Sequence, residues 1–266
     1  MQYKKRGFTL IEVALFLAIT GALFVGIMAG VQNSIFQQRY NDSVQSFVEF
    51  LRTAYSETMN VQNLGNGRSE KAIYGKLITF GESTNLEGSP NGDEGFRNHI
   101  YMYDVVGRVG ENNISVSGST LNALNSLGAN VINDEGNPQL YGIVESYVPK
   151  WGAVIQDQDG SVFSGSLLII RHPNSGVVYT FFSNTTIQVN ENLAASNLGQ
   201  IKGINWEDPG IDFSIKPIDF CINPMGTQPY SNRQDVRIIR NARNGSGVEL
   251  VSENGSNNVC QGNSNG

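Results

Sequence analysis

Few side chains in this chain are of types and spacings that could do chemistry. The two histidines, His99 and His172, stand far apart, with no HExxH pair, no GxSxG elbow and no phosphate-cradling glycine loop around them. Catalysis therefore has no support, and no cofactor is implied. The segment QDQDGS places Asp157 and Asp159 two positions apart, a start for a calcium loop, but no third aspartate or bidentate glutamate follows at loop spacing. The same residues suit a hairpin turn at Asp159-Gly160, and Asp134-Glu135-Gly136 reads as a solvated loop, so no metal site is expected. Arg233, Arg237, Arg240 and Arg243 crowd eleven residues of a chain whose formal charge is −6. Such a strip could grip nucleic-acid phosphates, but arginines on an edge strand also protect it from pairing with other chains. Two cysteines, Cys221 and Cys260, lack CxxC spacing. One carboxylate, Glu12, opens an otherwise apolar run.

The elements that must position these residues begin with that run. From Val13 to Val31 there are 19 residues without a formal charge, about 28 Å of helix and enough to cross the hydrocarbon of a bilayer. Lys4, Lys5 and Arg6 precede it, and the bias of basic residues toward the cytoplasm sends everything after Val31 outward. In that compartment disulfides persist, so Cys221 and Cys260 are expected to form one bridge. No proline occurs before Pro90, and the first stop signal is Asn63-Leu64-Gly65-Asn66-Gly67. One helix from Phe8 to about residue 60 follows. Its outer half, 32–62, carries Phe36, Tyr40, Val44, Phe47, Leu51, Tyr55 and Met59 at spacings of three and four, an apolar stripe for packing on a head.

Beyond Gly67 the period changes to two and the punctuation becomes Gly, Asn, Asp and Pro. Strands are predicted at Ala72–Phe80, His99–Val109, Tyr141–Val148, Ala153–Ile155, Val162–Arg171, Val177–Phe182, Ile211–Ile222 and Asp235–Arg240. A short helix is predicted at Ser119–Leu127. The predicted fold class is α+β: one long N-terminal helix, with a membrane half and an amphipathic half, packed on an antiparallel sheet or small sandwich.

The segment KKRGFTLIEV, Lys4 to Val13, resembles the processing site of type IV prepilins and type II secretion pseudopilins. The resemblance implies a pilin fold, with a leader at 1–7, a membrane and filament-core helix half at 8–31, the amphipathic half at 32–62 and an exported head at 68–266. It implies cleavage between Gly7 and Phe8 by a prepilin peptidase and methylation of the new amine. Losing seven residues and three cations leaves 259 residues and takes the formal charge from −6 to −9. It also gives Glu12 a role, pairing with the cationic N-terminus of a neighbouring subunit to set register as helices pack into a filament. A bare carboxylate at the bilayer centre costs roughly 3 kcal/mol, so such a partner is expected. A signal anchor or secretory peptide would explain the basic start and apolar run, but not Gly7-Phe8 or Glu12. About 200 residues after the helix is large for a repetitive subunit, which points to a minor one. The partners implied are other pilin subunits, the peptidase and methylase, the assembly platform, the membrane and, through the arginines, DNA. A pseudopilin of type II secretion, a competence pilin, and an anchored surface-binding protein that never polymerises are the rival readings.

Overall fold

A computed structural model describes residues 9–60, 71–80, 99–108, 130–131, 143–173, 175–183, 186, 217–224, 233–240, 242–251 and 260. Gly7, Phe8, Asp134 to Gly136, the helix expected at Ser119–Leu127 and residues 211–216 lie outside them. The chain forms two compact units, 1–42 and 43–266.

Helix α1 runs from Leu10 to Met59 without a break, as the absence of proline and the run of good helix formers require. In the first unit its large apolar side chains are exposed from Leu10 to Val31. In the second unit the pattern reverses. Val44, Phe47, Val48, Phe50, Leu51, Ala54 and Tyr55 are buried. The apolar stripe is wider than the seven-residue pattern, because Val48, Phe50 and Ala54 join it, and it stops early, since Met59 is 46% exposed.

Among the described residues the rest of the second unit is built on two antiparallel sheets, so the chain is α+β. The larger contains β1 (Lys71–Phe80), β2 (Ile100–Arg108), β3 (Asn130–Val131), β4 (Ile143–Tyr147), β6 (Gly165–Arg171) and β7 (Val178–Ser183). Its order is β3-β2-β1-β6-β7, and β4 pairs with the opposite end of the β2 edge that β3 occupies. The smaller contains β5 (Val154–Gln156), β8 (Ile218–Asn223), β9 (Gln234–Ile238) and β10 (Val248–Val251), in the order β10-β9-β8-β5. At the bulge between Ile73 and Gly75, β1 approaches β6 so closely that a Cβ on Gly75 would lie 2.2 Å from the Ile169 carbonyl oxygen. Only glycine fits there.

The predicted strands correspond to these with shifted ends. Val162–Arg171 begins later, at Gly165, and Asp235–Arg240 ends earlier, leaving Arg240 beyond the strand. The hairpin turn is present at 157–160: the Gly160 N–H donates to the Asp157 carbonyl at 3.0 Å, and Gly160 takes φ +89°, where glycine is favoured. The strands beside it do not stay together. After a single bridge between Gln156 and Val162, β5 belongs to the smaller sheet and β6 to the larger.

The second part of α1 is joined to both sheets. Phe47 meets Phe220 of β8 edge-on at 5.4 Å and Tyr147 of β4 at 5.9 Å, while Phe80 of β1 contacts both Phe163 and Phe220 at 5.2 Å. Each such pair adds about 0.5–1.5 kcal/mol beyond its burial. Polar contacts fix the register of this packing. The Tyr55 hydroxyl bonds Thr180 of β7 at 2.7 Å, and Arg52 donates to the Val248 carbonyl of β10 at 2.9 Å. The last turn of α1 holds no basic residue, and Arg171 of β6 supplies one by donating to the Met59 carbonyl at 2.8 Å.

Candidate functional site

The head is closed by a disulfide between Cys221 and Cys260, with Cα atoms 5.3 Å apart and a sequence separation of 39. Cys221 lies in β8, in the buried core, opposite Asp235 of β9. Closing such a ring removes denatured-state freedom equivalent to about 4 kcal/mol in the chain-entropy model. Burial pushes the hydroxyls of Tyr55 and Tyr103 up to about 12, so both side chains stay neutral in this core through the physiological range.

The four arginines do not act as one strip. Arg237 of β9 faces Asp219 of β8 across their ladder and turns its guanidinium onto carboxylates of its own sheet: Nε is 2.5 Å from Asp219 Oδ1, and the other fork reaches Asp235 Oδ2 at 3.3 Å. Its charge is neutralised by two buried carboxylates, which removes it from any phosphate-binding surface. Arg233 is half-buried, with its guanidinium over Gly160 at the hairpin turn. Only Arg240 and Arg243 are exposed, both past the end of β9. The alternation of a strand, together with an aspartate facing Arg237 across the ladder, separates residues that the sequence places side by side.

The aspartates of the hairpin likewise serve the turn. Asp159 accepts from the Ser161 amide at 2.8 Å and from its hydroxyl at 2.7 Å, which hold the carboxyl below its usual range, and Asp157 accepts from the Gln158 amide. Among the described residues no three His, Cys, Asp or Glu side chains gather as metal ligands would. His172 Nδ1 accepts from the Ser175 amide within the turn that joins β6 and β7, and His99 stacks on Tyr101.

At the other end of the chain, Glu12 has a partner in its own helix. Its carboxylate accepts from the Thr9 amide at 2.8 Å and from the Thr9 hydroxyl at 2.9 Å, while the Thr9 hydroxyl lies 3.4 Å from the Glu12 amide. This is a capping box, with Thr9 as N-cap and Glu12 three residues on. The expectation that Glu12 needs a neighbouring chain to satisfy it is therefore incomplete, because two orphan groups at the helix start already do so. Thr9 is the residue that the sequence reading missed. The signal was present in the spacing Thr-x-x-Glu ahead of an apolar run.

Beyond this cap, α1 carries thirteen large exposed hydrophobic side chains from Leu10 to Val31, with Leu10 at 88% and Phe16 at 66%. It is long and apolar enough to cross a membrane. Its one polar side chain between Val13 and Val31, Thr20, returns its hydroxyl to the Phe16 carbonyl at 2.8 Å and so leaves no unsatisfied side-chain donor on the apolar surface. Gly21, Gly26 and Gly30 meet nothing within 4 Å where a Cβ would stand. Among the described residues no contact calls for glycine at these places. Gly26 and Gly30, four residues apart, share one face, the arrangement by which membrane helices approach closely.

Comparison with models of protein families, with curated protein sequences and with solved structures returned no match.

Proposed function

We propose that this chain is a structural subunit of a type IV pilus or a related pseudopilus, of the minor kind, with no enzymatic role of its own. Prepilin peptidase cleaves it between Gly7 and Phe8, the new amine is methylated, and the subunit waits in the cytoplasmic membrane with its head outside. The assembly platform then draws it into a filament, where the apolar half of α1 packs against the same half of other subunits.

The observation that carries this reading is the uncovered apolar helix half, starting at a capped carboxylate and continuing into a half buried by a disulfide-closed head. In a surface protein that only needs an anchor, Glu12 would do no more than cap the helix, and glycines that no contact among the described residues requires would have no purpose. A filament has a use for both. The glycine face admits a neighbouring helix, and Glu12 exchanges its own cap for the methylated amine of the adjacent subunit, so that assembly adds charge pairing without leaving the carboxylate bare in the membrane.

Glu12→Val tests the reading. The variant should insert and be processed like wild type, since an acid that costs roughly 3 kcal/mol in hydrocarbon has gone. It should be strongly depleted from sheared filaments relative to the membrane pool. Equal incorporation of variant and wild type would remove Glu12 from assembly.

A further inference from the structure

On the face of the larger sheet that carries Ile78, Met102 and Ile169, all fully buried, one residue is charged at its amine. Lys76 of β1 has a side chain only 4% exposed, and its ammonium is shared between two carboxylates. Nζ lies 2.6 Å from Asp104 Oδ1 and 2.5 Å from Glu57 Oε2, the latter reaching in from the last turns of α1. Lys76 and Asp104 are directly opposite one another in the β1–β2 ladder, so backbone pairing fixes the distance between them. Asp104 Oδ1 nevertheless makes no hydrogen bond. The amine stands at contact distance from the carboxyl but out of line with a hydrogen bond to that oxygen.

We propose that Lys76 and Asp104 are the partners of an intramolecular amide cross-link between β1 and β2, with Glu57 as the group that moves the protons. In water an ammonium and a carboxylate do not condense, because both charged forms are well solvated. Burial alone works against the ammonium, and although the two carboxylates beside it outweigh burial and hold its pKa up, they are also the acceptors to which Nζ can pass a proton at contact distance. Glu57 relays one Nζ proton to Asp104, and the lone pair of the neutral Lys76 amine attacks Cγ of the carboxyl so protonated. The Nζ–Cγ bond forms, Glu57 carries a second Nζ proton to the Asp104 hydroxyl oxygen, and the Cγ–Oδ bond breaks as that oxygen leaves as water, with one hydrogen kept on the amide nitrogen. Ammonium plus carboxylate becomes amide plus water, with no change of oxidation state and no co-reactant.

Orientation favours the forward step, since groups held in reacting geometry behave as if at effective concentrations on the order of 10⁵–10⁸ M. Burial keeps water from reversing it. Glu57 is the partly exposed member at 36%, which gives the released water a way out. The product would tie β1 to β2 covalently and close the segment between residues 76 and 104. This inference stands apart from the assembly reading, because it concerns the head alone.

Intact mass of the purified full-length chain decides it. The expected mass is short by one water, about 18 Da, beyond the two hydrogens lost to the Cys221–Cys260 bridge. A tryptic digest should leave Lys76 uncut and yield a branched peptide joining it to Asp104. Glu57→Gln, which keeps shape and removes the proton acceptor, should restore the missing water while the far-ultraviolet circular dichroism stays unchanged. A wild-type chain of full mass overturns the cross-link whatever the variants do. A cross-linked Glu57→Gln chain overturns the role of Glu57.

Discussion

Two phenylalanines on one helix should behave in opposite ways. Phe47 is 1% exposed and touches Phe220 of the smaller sheet and Tyr147 of the larger, whereas Phe16 is 66% exposed and belongs to the other unit. Burying a phenylalanine side chain contributes about 1.5–3 kcal/mol, and truncation adds a cavity term where the surroundings cannot collapse. The two ring contacts add about 0.5–1.5 kcal/mol each, although truncation removes them together with the burial. Phe47→Ala should therefore cost the head about 4 kcal/mol, a large part of a stability of about 5–15 kcal/mol. Phe16→Ala should leave the head within about 0.5 kcal/mol of wild type. Urea unfolding of the full-length chain in detergent, followed by near-ultraviolet circular dichroism, measures both through the transition midpoint at constant slope. A loss below about 1 kcal/mol for Phe47→Ala would refute the aromatic cluster as the joint between helix and sheets. Equal losses for the two variants would refute the division of α1 into an uncovered half and a buried half.

Two further outcomes concern the head. Cys260→Ser, or reduction of the bridge, should lower the urea midpoint by the equivalent of about 4 kcal/mol, and limited proteolysis should cut near residue 260 before the rest of the head. Unchanged stability would mean that the ring constrains nothing. Tyr55 and Tyr103 are raised from 10 to about 12, so the unfolded chain releases their protons first; stability is full below pH 10 and falls as pH rises toward 12, by about 2–3 kcal/mol for each tyrosine. Tyrosinate absorbance compared with circular dichroism across that window checks this. Two tyrosines ionising near pH 10 in a folded head would contradict their burial.

Much of the fold is legible in the sequence, for reasons that particular residues make plain. The helix is readable because no proline interrupts it before the stop signal at Asn63-Leu64-Gly65-Asn66-Gly67, and its two halves because charge is absent from Val13 to Val31 while spacing of three and four takes over from Phe36. β1 is readable from its apolar, aromatic and β-branched residues, interrupted by Gly75-Lys76 and bounded by glycine-rich segments. The pairing of β1 with β6, ninety positions away, is not readable, because only tertiary packing selects it. β10 was missed since Val248–Val251 is four residues long with Glu249 and Leu250 exposed, too short and too mixed to show a period. The arginine cluster misled for a related reason. Its members are close in sequence, but the partner that neutralises Arg237 is Asp219, a residue of the neighbouring strand. Lys76 carries the same lesson: within KAIYGKLITF it reads as a solvated strand residue, and only the placement of Glu57 and Asp104 allows it to be buried.

The central claim is that the uncovered half of α1 is the processed, assembling end of a pilin-like subunit. The most direct measurement is mass spectrometry of this chain recovered from filaments sheared from the cell surface. The account expects a 259-residue chain beginning at Phe8 with an N-methylated amine, and it expects Gly7→Val to remain uncleaved in the membrane. A chain that keeps Lys4, Lys5 and Arg6, or one that begins near Val31 and is missing from the filaments, would contradict it.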